Sequence, residues 1–144
     1  MAHHLLPRLE GTTVSGRALC FPDGLPEHSL VLVIGFTHEA RHDVGAWKAA
    51  LTAQGIPFLS LPTAAVDTSA EAMAGVAQAM RAHVPQGSWD QVVQIHRGGE
   101  ALRREYSWQV DVFAKALRVT DGGEVLARHD SGPFTAEVLA AFLG

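Results

Sequence analysis

The apolar positions of this chain change period several times, and each change marks an element. Ser29-Leu-Val-Leu-Val-Ile-Gly-Phe36 is a continuous apolar and β-branched run. Such a run predicts a central strand buried on both faces. Residues 14–21 (Val-Ser-Gly-Arg-Ala-Leu-Cys-Phe) read as a short leading strand, broken by Pro22, Asp23, Gly24 and Pro26. Ile56–Leu61, closed by Pro62, and Trp89–His96, with Val92, Val93 and Ile95 as its apolar part, predict two more strands. Ala114–Thr120 and Glu124–Arg128 flank Asp121-Gly122-Gly123. That is a hairpin signal, because Asp-Gly and Gly-Gly tolerate positive φ.

Helical spacing fills the intervals. Thr37 is placed to cap a helix running to about Gln54, with Ala40, Val44, Trp47 and Leu51 on one face and Gly55 as the stop. Thr68-Ser69-Ala70-Glu71 has the spacing of a capping box. Met73, Val76, Ala77 and Met80 then recur at helical intervals and read as core, with Pro85 ending the segment. Gly98-Gly99 opens a short helix to about Tyr106. Thr135 caps a last one, with Phe134 and Leu139 spaced as a hydrophobic staple. Strands alternating with helices imply parallel pairing, and the closing hairpin adds an antiparallel pair. The predicted architecture is an α/β three-layer sandwich: a mixed central sheet with a closing β-hairpin and helices on both faces. No repeat or low-complexity linker interrupts it, so residues 1–144 read as one domain.

Composition narrows the function classes. Hydrophobic residues are 47% of the 144, enough for a full core without metals or disulfides. Charged residues are 18%, below the usual share of about a quarter. A net charge of −4 and no basic stripe argue against nucleic acid; Arg97, Arg103 and Arg104 are interrupted by Glu100 and Glu105. The opening Met-Ala-His-His-Leu-Leu-Pro-Arg lacks the form of a signal peptide, and no run approaches the roughly 20 apolar residues of a membrane span. A cytoplasmic protein is expected, in keeping with a lone Cys20 that has no partner in the chain.

The element order resembles the thioredoxin-like superfamily, within it the redoxin and peroxiredoxin-type branch. Residues 11–36 resemble its opening, Leu117-Arg-Val-Thr-Asp-Gly-Gly-Glu-Val125 its hairpin, and Gly132-Pro-Phe-Thr135 its approach to the last helix. The resemblance implies a thioredoxin-like fold, with chemistry where the buried strand meets the first helix. There a helix N-terminus stabilises a thiolate. Here that place reads Phe36-Thr37-His38-Glu39-Ala40-Arg41. A Cys-x-x-Cys motif would fall on Thr37–Ala40, and both cysteines are absent. In the peroxidase pattern Thr-x-x-Cys, Thr37 is present and Ala40 stands for the reacting cysteine. The family's cis-proline would fall near Phe113 or Ala114, and no proline is there. The resemblance therefore implies a fold whose dithiol and thiol-peroxidase chemistry is missing.

Two readings of the remaining polar residues follow. In the first, Thr37, His38, Glu39 and Arg41, with His96 at the end of a parallel strand, gather at one edge of the sheet and bind a protein partner or a small ligand such as an acid. In the second, His38-Glu39-Ala40-Arg41-His42 is a His-Glu-x-x-His match, whose histidines at i and i+4 on a helix share a metal. A catalytic zinc needs three protein ligands. The sequence supplies His38 and His42, with Lys48 where a third histidine would follow and His96 or His129 as distant completions. The first reading makes the chain a non-enzymatic binding or accessory protein; the second makes it an enzyme or metal protein. No motif calls for a cofactor. A homodimer is left open, since no exposed stripe marks an interface.

Overall fold

The computed structural model describes residues 5–23, 29–63 and 67–144. The predicted breaks at Gly24 and Pro26, and the opening residues Met1–His4, lie outside these. Among the described residues, seven strands and four helices follow in the order β1 (Leu9–Thr13), β2 (Ala18–Phe21), β3 (Ser29–Gly35), α1 (Arg41–Ala53), β4 (Phe58–Pro62), α2 (Ala70–Met80), β5 (Val93–Arg97), α3 (Gly99–Glu105), β6 (Lys115–Thr120), β7 (Val125–His129) and α4 (Ala136–Leu143). A 3-10 turn over Gln86–Gln91 precedes β5.

The strands form a four-stranded sheet, β4-β3-β6-β7, and a three-stranded one, β2-β1-β5. β3 pairs with β4 in parallel and with β6 antiparallel. The two sheets meet at parallel bridges, Ser60 to Val92 and Thr63 to Ile95. β3 is central, and Leu30 to Ile34 are at most 2% exposed, as its continuous apolar run predicts.

Each face of the sheet carries its own core. On one face Leu32, Ile34, Leu61, Ile95 and Leu117 pack under Leu102, Tyr106 and Trp108, from α3 and the residues after it. On the other, Val31, Val33 and Ala116 pack under Trp47 and Leu51 of α1 and Leu139 and Phe142 of α4. Trp47 is the centre of this second core, with ring centroids 5.3 Å from both Phe134 and Phe142. The three-layer, thioredoxin-like arrangement is as the sequence predicts, and Thr135 caps α4 by accepting the Val138 N–H at 3.0 Å.

Four local expectations are corrected. The leading strand expected over 14–21 begins only at Ala18, as the second arm of a hairpin over residues 9–21. β1 lies earlier than expected, turns at Val14–Arg17 and returns as β2. Its sequence, Leu-Glu-Gly-Thr-Thr, hides the strand because Gly11 faces the sheet. A Cβ there would stand 2.6 Å from the Gln94 carbonyl oxygen. The capping residue of α2 is Ser69, whose Oγ accepts the Ala72 N–H at 3.1 Å. The Thr68 N–H, which a capping box would give to Glu71, is instead held by the His96 carbonyl at 2.8 Å. The strand expected from Trp89 begins at Val93, since the Trp89 indole N–H donates back to the Val84 carbonyl at 2.8 Å. Finally, α1 begins at Arg41 and not after Thr37.

Candidate functional site

The start of α1 is built by a turn. The N–H groups of Ala40 and Arg41 donate to the carbonyls of Thr37 and His38, three residues back, at 3.2 Å each. Thr37 Oγ1 also accepts the Ala40 N–H at 3.2 Å, so the threonine caps this turn and not the helix proper. Its hydroxyl donates to the Asp111 carbonyl at 2.9 Å. Ala40, the position of the reacting cysteine in the resemblance, is completely buried. It lies close to Gly35, where an added Cβ would stand 3.3 Å from the Ala40 Cβ.

The turn separates the residues of the predicted site. His38 and Glu39 are exposed, and His38 precedes the first helical residue. Helical i, i+4 spacing therefore does not relate His38 to His42. The two open onto different hollows: His38 and Arg41 onto a cleft between α1 and α2, Glu39 and His42 onto a shallow depression with Asp43 and Val112. Asp43 is committed to structure, its two carboxylate oxygens accepting the N–H groups of Phe134 and Ala114 at 2.8 and 2.7 Å. His96 lies on β5 outside the cleft lining, and its Nδ1 is buried with no hydrogen-bond partner among the described residues. His129 packs against Trp47 with its Nε2 against the Gly132 carbonyl. Among the described residues no three His, Cys, Asp or Glu side chains come together as a metal set.

The cleft has a volume of about 600 Å³, inside the usual range of roughly 300–1,000 Å³ for small-molecule sites. Ser60, Thr63, Val92 and Gln94 form its floor. The Gln94 amide contacts the Met80 sulfur, tying the floor to α2. One wall is α1, with Arg41, Val44 and Lys48 at helical spacing. The other is α2, with Met73, Val76 and Met80, and His83 beyond its end. The methionine stripe thus lines a cleft. Ala77 is the one residue of α2 that is fully buried, and Val76 is 45% exposed. Burial in the wall lowers the Lys48 pKa below its ordinary 10.5. Lys48, Met73, Met80 and His83 were not marked as site residues by the sequence, because helical spacing alone does not tell a cleft wall from a core.

No family model matches this sequence, and no curated protein matches it. Solved structures do match over nearly its whole length. BsSco, a member of the Sco family of cytochrome c oxidase assembly proteins, is 11% identical with a TM-score of 0.60; the match covers 98% of this chain and 92% of that one. A thio-disulfide isomerase from Thermus thermophilus is 15% identical with a TM-score of 0.60, over 99% and 95%. A thiol-disulfide oxidoreductase from Bacteroides fragilis is 17% identical with a TM-score of 0.55, over 97% of each chain. The fold is thioredoxin-like, the class of the thiol-disulfide oxidoreductases and Sco proteins. Within that class, this chain has Cys20 as its one cysteine and no Cys-x-x-Cys pair. No helix among the described residues is long and apolar enough to cross a membrane.

Proposed function

We propose that this chain is a binding or accessory protein that uses the edge where a thioredoxin-like fold would carry its thiols, with the cleft between α1 and α2 as the binding surface. One observation carries the reading. The reacting position is occupied by a buried alanine, while an open cleft lies directly beside it, between His38 and Arg41 on one side and Met73 on the other. The chemistry is closed and the recognition surface is kept. An accessory role is also in keeping with BsSco, which is named for assembly of another protein. The reading keeps the chain in the cytoplasm, where a single unpaired cysteine remains reduced.

The test is a small-molecule fragment screen by NMR on the full chain, its methionine methyls labelled with carbon-13. Binding fragments are expected to shift the Met73 and Met80 methyls, and a Val76→Trp variant to lose them. Fragments that bind without moving either methyl, or that bind the variant equally well, would overturn the reading. Val76 is exposed, so the variant is expected to fold.

A further inference from the structure

The two walls of the cleft differ in kind. The α1 wall presents Arg41 and Lys48, two turns apart on one helix face. The α2 wall presents Met73, Val76 and Met80, apolar and, for the thioethers, adaptable in shape. His38 and His83 stand at the rim. Among the described lining residues there is no aspartate or glutamate, although the chain as a whole carries a net charge of −4. An overall acidic protein has thus kept a cation-lined, acid-free cleft.

Among the described residues, both cations keep donors free to engage a ligand. Arg41 uses one guanidinium nitrogen on the His38 carbonyl at 3.0 Å, which fixes its direction and leaves further N–H donors. Lys48 makes no ion pair among the described residues, and its partial burial raises the value of an anionic partner. A neutral apolar ligand would leave this wall unmatched, and a small hydrophilic anion would leave the methionine wall unmatched.

The geometry points to a free, single-chain amphiphilic anion as the ligand of this cleft: an apolar chain laid along Met73, Val76 and Met80, with a carboxylate-type head held by Arg41 and Lys48. This deepens the binding reading above and rests on it.

The test uses decanoate, kept below its micelle-forming concentration, and decanol as the uncharged control. The full chain is titrated with each while the Met73 and Met80 methyls are followed by NMR. Decanoate is expected to shift both methyls to saturation and to bind at least tenfold more tightly than decanol. Arg41→Gln and Lys48→Met are each expected to weaken decanoate severalfold, and together at least tenfold, with decanol changed less than twofold. Equal binding of decanoate and decanol at these methyls would overturn the anion assignment and leave the cleft-binding reading standing. Decanoate that binds without moving the methyls, or is indifferent to both substitutions, would overturn the assignment as well. A cleft that binds neither decanoate nor any screened fragment would remove both.

Discussion

Thr37 Oγ1 donates a 2.9 Å hydrogen bond to the carbonyl of Asp111, a residue 74 positions further along the chain. Asp111 is itself anchored, because its carboxylate holds the ammonium of the fully buried Lys115 at 2.8 Å. The turn before α1 is therefore fastened, through one aspartate, to the first residue of β6. Ala40, within this turn, is fully buried, while the neighbouring cleft stays open.

Breaking the Lys115–Asp111 pair strands a charge with no exposure to water. Asp111→Asn is expected to lower stability by about 2 kcal/mol, less than the cost of breaking a fully buried pair because the Asp111 side chain is 32% exposed. Asp111→Asn with Lys115→Met is expected to recover most of that loss. Urea denaturation of the two single variants and the double variant measures the coupling. A double-variant loss equal to the sum of the two single losses would show that the pair carries no such energy.

A cysteine placed at position 40 is not expected to bring thiol chemistry. Ala40→Cys, made in a Cys20→Ser background, places the thiol in a fully buried site packed against Gly35. A thiol reagent is expected to label it only on the timescale of unfolding, with no peroxide turnover. Rapid labelling of the native protein would show that the turn opens and that the site is not sealed.

Ser69, not Thr68, is the residue to test for capping α2. Ser69→Ala is expected to lower stability by about 1 kcal/mol, and Thr68→Ala by much less. The reverse ranking in thermal or urea melts would return the cap to the register that the capping-box spacing suggests.

Gly98 has φ +96°, and a Cβ there would stand 2.1 Å from the Arg8 carbonyl oxygen. Backbone conformation and space both exclude a side chain. Gly98→Ala is expected to lower stability by about 3 kcal/mol or more, from strain and displacement of the segment leading into β1. A loss under about 1 kcal/mol would mean that this approach is not as close as described.

Lys48 links the cleft to pH. Its folded pKa is below 10.5, so between that lowered value and 10.5 the unfolded chain binds more protons than the folded one. Stability contributed by this group therefore rises as pH rises through that window. Tyr106 acts in the opposite sense: burial outweighs the nearby Arg128 and raises its pKa above 10.0, so its contribution falls as pH climbs past 10.0. Comparing wild type with Lys48→Met isolates the lysine. The variant is expected to be the more stable protein at neutral pH, with the difference shrinking toward pH 10.5. A constant difference across that range would show that Lys48 titrates normally.

The sheet and most helices were legible because their signals are local. The apolar run of β3, the Asp-Gly-Gly turn and the Thr135 cap each act over a few residues, and each appears where expected. The candidate site was legible only in part. Thr37, His38 and Arg41 line the cleft, Glu39 and His42 face another hollow, and His96 stands outside the cleft. A helix beginning at Thr37 would have aligned His38 with His42. The bond to Asp111 and the turn at Ala40 delay the helix to Arg41, and nothing near Thr37 in sequence announces a partner so far away.

From its single cysteine, the sequence alone determined that this chain has no dithiol, and the thioredoxin-like resemblance sets Ala40 at the reacting position. Only the tertiary structure decided what replaced it. The tie from Thr37 to Asp111 beside the buried Ala40, and the separation of α1 from α2, are long-range events set by packing on the sheet. Helical period assigns Met73, Val76 and Met80 to one face, but whether that face meets a core or a cleft depends on where the next helix docks.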